Sequence, residues 1–126
     1  MTRKILFAGL VLVLAGISVA ARDSKSVKLT GYIIDNACAA GRATGDNAAD
    51  KVKNHTVKCA QMAKCAESGY ALYADGKLYK LDADGNKKAG ELLKNTKVER
   101  GMQVAVEGTV EGETLTVKTI SEVVSS

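Results

Sequence analysis

Proline and tryptophan are absent from this chain, and its single phenylalanine, Phe7, lies close to the N-terminus. Without proline, no candidate strand is demoted to a sheet edge on that ground. The remaining rings are four tyrosines. They offer little of the base-stacking platform that nucleic-acid binding uses, and the basic residues are spread along the chain rather than gathered in a stripe. Nucleic acid is therefore not an expected partner. Charge is missing from Ile5 to Ala21. Arg3 and Lys4 precede this run, an apolar stretch from Ile5 to Ala15 fills it, and Ser18, Val19, Ala20 and Ala21 close it, which is the pattern of a cleaved signal peptide over residues 1–21. The run is shorter than the ~20 residues that span a bilayer, so no permanent membrane anchor is expected after cleavage. No cysteine near the cleavage region marks lipid attachment. The expected compartment is a bacterial periplasm or the cell exterior, where disulfides persist.

Residues 22–126 then form a single domain by length, with a small core. Removing Arg3 and Lys4 leaves 16 basic residues against 14 acidic ones, so the net charge falls from +4 to +2. Arg22 to Ser26 reads as a polar leader. Val27 to Asp35 alternates and carries β-branched and aromatic residues, as a strand does, with Gly31 as a bulge or bend. Gly41 to Asp46 reads as a loop. From about residue 47 to 68, alanine-rich sequence predicts one long helix, capped by Asp46 or Asn47 and stopped by Gly69. Tyr70–Ala74 and Lys77–Leu81 flank Asp75-Gly76, a hairpin signal. A turn is expected at Asp82 to Asn86 and a short helix from Lys88 to Asn95. Gln103–Val110 and Thr114–Ile120 form the last hairpin, with Leu115, Val117 and Thr119 on one side, and the last six residues are expected to fray. Five short strands with a helix between the third and fourth is the order of an OB-like small β-barrel; the long helix between strands 1 and 2 is an insertion. The alternative is an open antiparallel sheet with the long helix across it.

Histidine and cysteine are scarce and clustered. Cys38, His55, Cys59 and Cys65 are the only such residues in the chain. A Cys3His set suits structural zinc, but no Cys-x2-4-Cys pair is present, so the spacing is not that of a zinc finger. Along one helix, His55 and Cys59 are about 6 Å of rise apart and can share an ion, whereas His55 and Cys65 are about 15 Å apart and cannot. All four meet only if the helix breaks near Ala63-Lys64. Otherwise Cys38, His55 and Cys59 remain, with Met62 as an additional soft ligand, a set that favours copper. Asp35 is a further candidate, either as a turn residue that ends the strand or as the acceptor of a hydrogen bond from a ligating His55. Two readings compete with the metal site: a disulfide, Cys38–Cys59 or Cys38–Cys65, which would stabilise by roughly 3 kcal/mol through loop entropy, and buried inert thiols. No Ser-His-Asp or nucleophile-elbow pattern occurs, and no catalytic residue is assigned. A near-match to a calcium loop at Asp82, Asp84 and Asn86 fails because Leu93 stands where the glutamate is needed. Tyr32, Tyr73 and Tyr79 are candidates for a ligand-binding barrel face.

Several stretches together carry a resemblance. These are Gly31-Tyr32-Ile33-Ile34-Asp35-Asn36-Ala37-Cys38, His55 with Cys59, Cys65 to Gly69, Asp75-Gly76-Lys77-Leu78-Tyr79, and Val104 to Val110. The chain resembles an uncharacterised family of small exported bacterial OB-like β-barrel proteins. That resemblance implies a barrel and export, and it implies no activity. In that family the two later cysteines are expected closer together than Cys59 and Cys65. Three functions follow as expectations: a non-enzymatic protein of the cell envelope that binds zinc or copper or acts as a thiol/redox module, a disulfide-stapled ligand-binding or protein-interaction module, or, last in order, a thiol-dependent enzyme.

Overall fold

A computed structural model of the chain describes residues 24–124. The signal-peptide reading of residues 1–21 lies outside them. Five strands close into a barrel in the order β1-β2-β3-β5-β4. They are β1 (Lys25–Asp35), β2 (Tyr70–Ala74), β3 (Lys77–Leu81), β4 (Gln103–Glu111) and β5 (Thr114–Glu122). Neighbours are antiparallel except β3 and β5, which close the barrel in parallel through Lys80 opposite Thr114 and Leu81 opposite Leu115. This is the expected OB-like barrel, and the open-sheet alternative is set aside.

Alternation builds the interior. Val104 and Val106 on β4, and Leu115 and Val117 on β5, are buried between more exposed neighbours, as period two requires of a sheet with one face inward. The pattern slips at Glu107/Gly108, where β5 carries one residue more than β4. That bulge reverses the alternation beyond it, so Ile120 packs against the core and Thr119, expected inward, is exposed. No bulge falls at Gly31. Glycine is needed there because an added Cβ would collide with the Tyr73 carbonyl of the paired strand.

β1 and β2 are covered on both faces. Ile33, Tyr70, Leu72 and Ala74 join the barrel core, while Ile34, Ala71 and Tyr73 form a second cluster with Ala39 and Val52 from the excursion between these strands. The out-of-phase leucines of β3 are explained in the same way: Leu81 enters the barrel core and Leu78 packs against the second cluster.

The excursion departs from the sequence expectation. In place of one helix over 47–68 there are four short ones: α1 (Asn36–Arg42), α2 (Ala48–Lys53), α3 (Val57–Ala60) and α4 (Ala63–Glu67). Thr56 and Met62 adopt extended backbone and restart the chain as N-caps. Backbone bonds to 99–101 hold the first break open, Val57 N–H to Glu99 O at 2.9 Å and Gly101 N–H to His55 O at 2.9 Å. Gly101 has φ +60°, and a Cβ there would strike Lys53 O, so this strap requires glycine. The helix after β3, α5 (Ala83–Asn95), begins earlier than the expected Lys88. Asp82 caps it by accepting Gly85 N–H at 3.0 Å and also takes Val117 N–H at 3.1 Å, which turns the expected loop into a helix start stitched to β5. β1 begins at Lys25 rather than Val27, and β5 runs to Glu122, with Val123 N–H bonded to Gln103 O at 2.8 Å.

Candidate metal centre

Each cysteine is the third residue of a short helix: Cys38 in α1, Cys59 in α3 and Cys65 in α4. The residue three places earlier starts each helix. Asp35 accepts the Cys38 N–H at 2.9 Å and Thr56 accepts the Cys59 N–H at 3.1 Å, while Met62 caps without a side-chain bond. These caps satisfy backbone donors that a helix start leaves open. They also aim three first turns at one place. The Sγ atoms of Cys38, Cys59 and Cys65 all lie within 4.8 Å of one another, and Cys38 and Cys59 stand at 4.0 Å. All three cysteines are half-buried.

A second group shares Cys38 with Asp35 and His55, again with one ligand atom from each within 4.8 Å of the others. Asp35 ends β1 opposite Tyr70 and is fully buried; His55 is 4% exposed. His55 Nε2 donates to Asp35 Oδ1 at 2.7 Å. Burial alone would raise the Asp35 carboxyl. The Cys38 N–H, the His55 ring and the Cys38 thiol outweigh it and hold the group below the usual carboxylate range. Since the carboxylate is ionised, Nε2 carries the ring proton. Nδ1 is buried with no hydrogen-bond partner.

Asp35 shapes the thiols in turn. Burial, the nearby carboxylate and a hydrogen bond to it push Cys38 up to about 12. Burial and the same carboxylate push Cys65 upward as well. Without a cation, Cys38 and Cys65 are therefore protonated, weakly nucleophilic thiols. Tyr70 closes one wall. Its hydroxyl donates to Ala60 O at 3.1 Å, and burial and Asp35 raise its own titration. Tyr70 escaped sequence reasoning because it read as an ordinary strand residue; its place opposite Asp35 comes from strand register.

The other candidates divide. Met62 is 59% exposed at the head of α4. The breaks at Thr56 and Met62 place His55, Cys59 and Met62 on separate segments and not along one helix. Tyr73 is buried in the second cluster and Tyr79 packs against the barrel core. Tyr32 lines an open groove of about 370 Å³ with Lys53, Arg100 and Val98. The three tyrosines thus form no common binding face.

Among the described residues, then, Cys38, Cys59 and Cys65, joined by Asp35 and His55, form a cluster with the composition and spacing of a metal site. No disulfide joins them; Cys38 and Cys59 stand 4.0 Å apart, about twice the 2.05 Å of an S–S bond. Comparisons with protein-family models, with curated proteins and with solved structures return no match to this chain.

Proposed function

We propose that this protein is a small exported component of the bacterial cell envelope that binds a transition-metal ion, zinc or copper, through Cys38, Cys59 and Cys65, and works without catalysis. The observation that carries the metal is the convergence of the three sulfurs within 4.8 Å from three separate helices. Metal–thiolate bonds of about 2.3 Å require sulfurs about 3.8–4.0 Å apart, so the cluster needs an inward shift of less than about 1 Å. Asp35 and His55 support it from behind, fixing the first turn of α1 on which Cys38 rides. Export is supported by the charged, apolar and small-residue zones of residues 1–21 and by the resemblance to small exported bacterial barrels.

Native mass spectrometry of the purified reduced protein tests this reading. One zinc or copper ion per chain is expected, lost in Cys38→Ser, Cys59→Ser and Cys65→Ser. A folded protein that takes up neither ion refutes it.

The 4.0 Å approach of Cys38 to Cys59 favours a second reading, in which an oxidising compartment joins these two as a disulfide staple and leaves Cys65 as a free thiol. A mass 2 Da lower by loss of two hydrogens, with alkylation at Cys65 alone, would favour the staple over the ion.

A further inference from the structure

Resting on that metal-binding reading, we infer that the cluster is a three-coordinate, all-sulfur site whose preferred ion is copper(I), and that Asp35 withholds His55 from it. The donor set decides the matter. Neither Asp35 nor His55 belongs to the group formed by the three sulfurs; both group with Cys38. Both carboxylate oxygens are committed, Oδ1 to His55 Nε2 at 2.7 Å and Oδ2 to the Cys38 N–H at 2.9 Å. His55 is held in turn. Its N–H bonds Val52 O at 3.0 Å, and its carbonyl takes the Gly101 N–H at 2.9 Å. Turning Nε2 toward the sulfurs would strand a buried carboxylate without its partner, which is costly, and Nδ1, the ring's unpartnered nitrogen, does not bring His55 into the three-sulfur group either. Met62, the thioether nearest in sequence, is 59% exposed.

Zinc in a structural site takes four protein donors in a tetrahedron, and iron–sulfur clusters are held by four cysteines. Among the described residues the three thiolates have no fourth protein donor in their group, and so they fit neither pattern. Soft thiolate donors do select copper(I). In a planar triangle with metal–sulfur bonds of about 2.3 Å, the sulfurs stand about 4.0 Å apart, which is already the Cys38–Cys59 separation of 4.0 Å. Because the sulfurs are half-buried rather than sealed, an incoming thiol can approach the ion and take it by ligand exchange. The helices around the cluster are tied by caps and by the strap to 99–101. The ion is therefore cargo and not the scaffold of the fold.

The test is anaerobic loading of the reduced protein with one equivalent of zinc, then one equivalent of copper(I), followed by native mass and metal-edge X-ray absorption. Copper is expected to displace zinc completely at one equivalent and to show a shell of three sulfurs with no nitrogen or oxygen. His55→Ala and Met62→Leu are expected to keep both the one-to-one copper stoichiometry and that shell. A nitrogen or oxygen donor in the copper shell, or zinc retained against copper, would overturn the inference while leaving metal binding intact. Absence of both adducts from folded protein would instead refute the metal reading itself. Should His55→Ala not fold, the wild-type copper spectrum alone decides.

Discussion

The barrel and the excursion between β1 and β2 are held together by different physics. The barrel rests on apolar burial: Leu72, Val104 and Leu115 are wholly excluded from solvent, and Met102 and Val106 very nearly so. The excursion is short of such residues. Its segments depend on single polar groups, with Asp35 and Thr56 capping helix starts, Asn36 and Ser68 tying the two ends of the excursion together, and His55 pinned against Asp35. Apolar packing tolerates change because many contacts share the load. A polar clasp does not, because a buried group that loses its partner bears the whole desolvation cost. The three sulfurs stand on the clasped half.

The sharpest break is Asp35→Ala. It leaves His55 buried without its partner and uncaps α1, and it is expected to cost about 3–5 kcal/mol, measured as a fall in the urea midpoint, with metal uptake weakened in the fraction that remains folded. Leu115→Ala attacks the other half. It is expected to cost about 2–5 kcal/mol through cavity formation but to leave one ion per chain in the folded fraction, since no sulfur rests on it. Equal metal loss in both variants would erase the proposed division between the halves. Thr56→Ala removes one cap and is expected to cost about 1 kcal/mol, with Cys59 alkylated faster than Cys38 in the metal-free protein.

Acidity gives the gentlest probe, with two limbs of opposite sign. Asp35 titrates below its ordinary value in the folded chain. Its contribution is complete above the ordinary carboxylate range and is lost as pH falls through the depressed value. Cys38 is raised to about 12. Its contribution is complete below the ordinary thiol range and is lost as pH climbs from there toward 12. Urea unfolding of reduced, metal-free protein is expected to weaken at both extremes. Cys38→Ala should shrink the alkaline limb and leave the part that Cys65 and Tyr70 contribute, while Asp35→Asn should remove the acid limb and also weaken the alkaline one, because its charge helps to raise these groups; an alkaline limb unchanged by Cys38→Ala would contradict the assignment.

The same division governs what the sequence made legible. Strands β2 to β5 stand out because side-chain alternation and the Asp75-Gly76 turn are local signals. The four-helix excursion was hidden. Ala48, Ala49, Ala60, Ala63 and Ala66 favour helix wherever they stand, so local propensity ran them into one. The breaks at Thr56 and Met62 depend on bonds to residues 99–101 and on caps whose use is decided by the fold. Scarcity alone pointed to Cys38, His55, Cys59 and Cys65. That the sulfurs meet while the imidazole turns to Asp35 could not be read from spacing, because the continuous helix used to measure those spacings is not there.

One measurement bears most directly on the sulfur cluster: the alkylation rate of each cysteine, followed by peptide mass, with and without one equivalent of copper(I). The expected result is that Cys38, Cys59 and Cys65 are protected together by a single ion, and that replacing any one by serine deprotects the other two. If any of the three reacts at its metal-free rate in the loaded protein, they do not share an ion.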